Sequence, residues 1–166
     1  KTTIMETKNY KAINGIAITA IAICAIQITW LILQSWFISG INGSTCEIAW
    51  DNNILPFQLT LFIGRVLFGV AYNAIIIVFL IKSVNALKKG TLFIRSNVTL
   101  LYMTAGCYII NRLCDDNMGN ILMSAEPGNS YFAIESGSIL ITLLFIIFAL
   151  LYRIAAEVSE DNNLTI

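Results

Sequence analysis

The chain contains no histidine and only two prolines, and just 12% of its 166 residues are charged. Without histidine, a bis-histidine haem, a histidine-rich zinc site and a Ser-His-Asp triad are excluded. The four cysteines form no C-x-x-C pair, so the exchange motif of most thiol oxidoreductases is missing. Lys88-Lys89-Gly90 lacks the other glycines of a phosphate-binding loop and the strand before it. Asp115 and Asp116 are adjacent and point different ways on a helix, so they do not make an acid/base dyad. There is no repeat at solenoid spacing and no low-complexity tract. No enzymatic activity, cofactor or metal is expected.

What the chain has in abundance is apolar sequence. Hydrophobic residues make up 57% and the mean hydropathy is +0.77, whereas a soluble domain is about a quarter charged. The natural solvent for such a chain is a lipid bilayer. Ten basic residues balance ten acidic ones, so no polyelectrolyte surface points to direct nucleic-acid binding.

The distribution of those charges sets the topology. Residues 82–97, KSVNALKKGTLFIRSN, carry Lys82, Lys88, Lys89 and Arg95 without an acid between two apolar runs, and the positive-inside rule puts them in the cytoplasm. About 20 apolar residues at 1.5 Å each cross the hydrocarbon core. On that measure the chain reads as all-α, an integral membrane bundle of four transmembrane helices near 12–37, 57–81, 98–116 and 133–156. Outer loops would cover 38–56 and 117–132, with a cytoplasmic loop at 82–97 and a cytoplasmic tail at 157–166. The first apolar run, Ala12 to Phe37, is too long for a cleaved signal, whose core is about 7 to 15 residues. Pro56 suits a helix start. With both termini inside, the inner segments hold eight basic and four acidic residues, +4, and the outer parts two basic and six acidic, −4. The bacterial inner membrane is the expected location.

Helices associate in lipid through small residues and interhelical polar contacts. Candidates for close approach are Ala17, Ala20 and Cys24, then Gly64 and Gly69, Ala105 and Gly106, and Ser136, Gly137 and Ser138. Gln27, Asn73 and Asn111 are candidate cross-helix hydrogen bonders. Arg65 lies nine residues beyond Pro56, about 13 Å into the second helix, and an intramembrane charge needs a partner. Glu135, at the outer start of the fourth helix, is the nominated one. Arg112 has Asp115 and Asp116 at i+3 and i+4 on its own helix. Arg65, Arg112, Asp115 and Glu135 therefore form a candidate polar cluster, either an ion-paired brace that fixes helix register or a small cavity open to the outside.

Cys24 and Cys107 fall within helices and read as small apolar packers. Cys46 and Cys114 both lie toward the oxidising exterior, where a disulfide between them is a possibility that spacing alone does not decide.

Two short stretches carry a resemblance. Ala86 to Phe93, ALKKGTLF, followed by Asn97, and the closing AEVSEDNNLTI from Ala156, resemble a bacterial four-helix membrane family, domain of unknown function 2975. That family has a lysine-glycine-x-x-phenylalanine loop with an asparagine just beyond it, and a glutamate-rich end closing on leucine-threonine-isoleucine. Gly90, Phe93 and Asn97 match the first motif; Glu157, Glu160, Leu164, Thr165 and Ile166 match the second. The resemblance implies a membrane protein that works with a cytoplasmic helix-turn-helix regulator. Both matched stretches are expected to face the cytoplasm, where Lys88, Lys89, Gly90, Phe93, Arg95 and Asn97 and the tail residues just named offer a docking surface; the alternative is that Lys88, Lys89 and Arg95 pair with Glu157, Glu160 and Asp161 within the chain or are simply solvated. The partners expected are thus the bilayer and a cytoplasmic transcription regulator, with a homo-oligomer also open. A small-ligand or immunity-type binder using the outer cluster is the alternative, and a thiol oxidoreductase built on Cys46 and Cys114 a weaker third.

Overall fold

The computed structural model describes residues 2–40, 55–89, 93–122 and 134–164. Among these residues there are four helices and no strand: α1 (Thr2–Gly40), α2 (Leu55–Lys88), α3 (Arg95–Leu122) and α4 (Ser136–Leu164). Each packs on the next in sequence, α1 on α2, α2 on α3 and α3 on α4. Two interior helices are therefore flanked by two outer ones.

All four helices outrun the apolar runs that mark them. α2 continues nearly two turns past residue 81 because Ala86, Leu87, Lys88 and their neighbours are good helix formers. α4 carries on to Leu164, through the polar stretch expected as a tail, aided by an Arg153–Glu157 pair one turn apart at 2.9 Å. α3 starts at Arg95 and ends at Leu122, so Arg112, Asp115 and Asp116 lie within a helix rather than at its end.

Three helices are long and apolar enough to cross a membrane, over Tyr10–Leu33, Pro56–Lys88 and Ser136–Glu160. α3 falls short of that measure because it carries the polar side chains. Its position between α2 and α4 gives those side chains partners on two sides.

The radial distribution is inverted relative to a water-soluble bundle. The largest fully buried side chains are Gln58, Asn73, Asn97, Asn117 and Thr104, while Ile16, Trp30, Leu67, Leu140, Phe148 and Leu151 point outward, each more than half exposed. A protein in water rarely leaves such continuous apolar surface, and a hydrocarbon exterior removes the reason to bury it. The buried residues of α4 show the same logic. Ser138, Ala149 and Ala156 are buried, close to three and then two whole helical turns apart so that they share a single stripe, and their small size brings α3 close.

Gly64 and Gly69 mark the closest approaches on α2. A Cβ on Gly64 would sit 2.7 Å from the Cys114 sulfur, and one on Gly69 would sit 2.8 Å from both the Asn111 amide nitrogen and a Leu31 methyl. Gly69 thus admits α1 and α3 together. Gly106, expected as a packing glycine, instead faces open space, because the α3 surfaces that meet α2 and α4 lie on either side of it.

Candidate functional site

Two polar layers cross the bundle, one at each end. The layer at the end that the charge distribution leads one to expect outside, the outer layer, is ionic, and the one opposite is the inner layer. Arg65 of α2 places Nε 2.6 Å from Asp115 of α3. Arg112 of α3 reaches Asp115 at 2.7 Å, Asp116 at 2.9 Å and Glu135 at 3.3 Å, and its Nε donates to Ser138 of α4 at 3.2 Å. Both Asp115 oxygens are engaged, one by each arginine. Asp116 uses its second oxygen to accept the Glu135 backbone N–H at 3.1 Å. Since the Glu135 carbonyl opens the hydrogen-bond ladder of α4, Asp116 anchors the start of that helix to α3.

The planar fork of a guanidinium explains why Arg112 occupies the centre: its five donors can be aimed at several acceptors at once. It binds two carboxylates on its own helix, one at the head of α4 and a hydroxyl on α4. Asn111, one residue earlier, donates to the backbone carbonyl of Arg65 at 2.7 Å, through the gap left by the missing Cβ of Gly69. This outer layer brings together all four residues of the expected cluster, with one correction. The ion pair of Arg65 is made with Asp115, and Glu135 is brought to Arg112, because the start of α4 docks on the Arg112 and Asp116 side of α3.

The inner layer is neutral. Asn97, fully buried near the start of α3, donates to Ser83 of α2 at 3.0 Å and to the Tyr152 hydroxyl of α4 at 3.1 Å. Tyr152 also accepts the Ile94 backbone N–H at 3.2 Å. Its ring meets Phe93 edge-on at 5.1 Å and Phe79 of α2 at 5.9 Å. Tyr152 carries no signal in the sequence beyond its place near the end of an apolar run, yet it is the hub that pins Phe93, Ile94 and Asn97 to α4.

Two of the expected docking residues thereby contact Tyr152, and one of them lies inside the fold. Asn97 is wholly buried, whereas Phe93 meets the Tyr152 ring and remains exposed. Glu157 pairs with Arg153 on its own helix. Lys88, Lys89 and Arg95 are exposed and form no ion pair among the described residues, and Glu160 is exposed as well. Leu164 closes α4, while Gly90, Thr165 and Ile166 lie outside the described residues.

Cys114 is buried with a free thiol beside Gly64, and Cys46 lies outside the described residues. No group of His, Cys, Asp or Glu suited to a metal ion occurs among the described residues. Compared with family models, curated proteins and solved structures, the chain matches none of them.

Proposed function

We propose that the chain is a non-enzymatic protein of the bacterial inner membrane that crosses the bilayer four times with both termini in the cytoplasm. In this reading it acts as the sensory or regulatory partner of a cytoplasmic helix-turn-helix regulator, as its resemblance to domain of unknown function 2975 implies. The spacing of the polar layers supports four crossings. Asn97 and Asp115 are 18 residues apart on α3, and Ser83 and Arg65 are 18 apart on α2, about 27 Å in each case. That is close to the ~30 Å thickness of the hydrocarbon core. α3 is uncharged from Val98 to Asn111, so it offers the bilayer an uncharged length between two layers whose side chains bond to α2 and α4.

The observation that carries the regulatory reading is the contrast in charge satisfaction. Among the described residues, the carboxylates Asp115, Asp116 and Glu135 are engaged by arginines or a backbone N–H, whereas Lys88, Lys89 and Arg95, at the end of α2 and the start of α3, are exposed and form no ion pair. An acidic patch on a cytoplasmic protein is the complementary surface. The test is purification of the N-terminally tagged chain from native membranes, beside a variant carrying Lys88→Glu, Lys89→Glu and Arg95→Glu. A DNA-binding protein that accompanies the first and is lost from the second, with membrane insertion unchanged, is the expected result. Equal recovery with both, or no partner with either, contradicts the reading.

A further inference from the structure

We infer that α1 is the interface through which two copies of this chain associate in the membrane, paired across Gln27. The inference rests on α1 crossing the bilayer. Among the described residues α1 packs only on α2, with Ala17 and Cys24 buried and Leu31 against Gly69. Gln27 is one turn from Leu31, which puts it level with the Asn73 region of α2. Asn73 is eight residues from Arg65 and ten from Ser83, about 12 and 15 Å. Gln27 therefore sits near the midplane between the two polar layers.

At that depth Gln27 is exposed and makes no hydrogen bond among the described residues. A carboxamide has two donors and an acceptor, and hydrocarbon offers it nothing. Asn73, the polar side chain at its height, is fully buried and gives its amide to the Gly69 carbonyl of its own helix, and the nearer polar layer is about two helical turns away, beyond what a glutamine side chain reaches. Ile16, Ile23 and Trp30 are exposed on the same side of the helix, and with Gln27 and the small Ala20 they recur at the 3.5-residue spacing of a helix-pairing seam.

The occupant that fits is a second copy. A carboxamide is self-complementary, and a two-fold axis parallel to the membrane normal sets the two Gln27 groups at the same height, the donor of each facing the acceptor of the other. A different protein would have to present a matching polar group at that one depth.

The test uses the full chain, labelled with donor and acceptor fluorophores and reconstituted into phosphatidylcholine–phosphatidylglycerol vesicles over a range of protein-to-lipid ratios. Saturable energy transfer is expected, with the apparent dissociation constant raised about tenfold by Gln27→Leu, a change that faces lipid in the single chain and leaves its fold intact. In a background without native cysteines, Ile23→Cys and Trp30→Cys should cross-link between copies and Ala25→Cys, on another side of α1, should not. Release of the chain from vesicles by alkaline carbonate would overturn the spanning reading and this inference with it. A retained chain that stays monomeric at every ratio, that pairs equally well as Gln27→Leu, or that cross-links as readily through Ala25→Cys overturns the interface alone.

Discussion

The two ends of the bundle solve the same problem with opposite chemistry. Each ties α2, α3 and α4 together. The outer end does so with two arginines and three carboxylates, centred on Arg112; the inner end uses an asparagine, a serine and a tyrosine, centred on Tyr152. Ionic partners give the outer end strength and leave its charges committed to one another. Neutral partners at the inner end leave the nearby cations Lys88, Lys89 and Arg95 facing outward. The comparison separates a brace from a surface: among the described residues, the charges at the Arg112 end are committed to one another across helices, and Lys88, Lys89 and Arg95 at the other end form no ion pair.

The sharpest way to break the comparison is to remove the centre of the ionic end. Arg112→Leu leaves Asp116 and Glu135 without their cation and detaches α4, a loss of about 3 kcal/mol, at the low end for such pairs because the Arg112 side chain is 29% exposed. Unfolding in mixed detergent micelles reads it directly. Arg112→Lys should recover only part, since one ammonium cannot reproduce the fork. At the neutral end, Tyr152→Phe removes only a hydroxyl yet strands the Ile94 N–H and one Asn97 donor, so about 1–2 kcal/mol is expected by the same measurement. Gly69→Ala should cost about 1–2 kcal/mol by pushing on Asn111 and Leu31 together, and it should loosen α1 and α3 at once, visible as faster amide exchange in both. Arg65→Leu is milder, about 1 kcal/mol, because Asp115 keeps Arg112; small-ligand binding that vanished with this change would transfer the functional role to the outer end. Arg153→Ala, which breaks only a solvent-exposed pair on α4, should leave the unfolding transition where it is.

Much of this architecture is legible from residue pattern. Apolar runs reveal α1, α2 and α4, and the segregation of lysine and arginine distinguishes the two ends. Helix ends are less legible, because apolar runs report where lipid would begin and end, while helices continue for as long as propensity and i,i+4 pairs permit, as at Ala86–Lys88 and Arg153–Glu157. Arg65 needed a partner by the physics of charge in lipid, but its choice of Asp115 depends on the rotation of α3 against α2, which no linear spacing encodes. Asn97 reads as part of a basic loop because its neighbours Lys88, Lys89 and Arg95 are basic; only the inward turn of the first helical residues of α3 shows it bridging Ser83 and Tyr152. Gly64 and Gly69 were recognisable as small, and it is the approach of Cys114, Asn111 and Leu31 that makes those positions specific.

The crossing of α3 is the step on which the separation of brace from surface depends, because that helix is the least apolar of the four and joins the two layers. Single cysteines at Lys89 and Ser136, both exposed, in a chain stripped of its native thiols, can be challenged with a membrane-impermeant maleimide in spheroplasts. The account predicts that Ser136→Cys is labelled from outside, while Lys89→Cys reacts only after the membrane is opened. Labelling of both positions from the same side would contradict it.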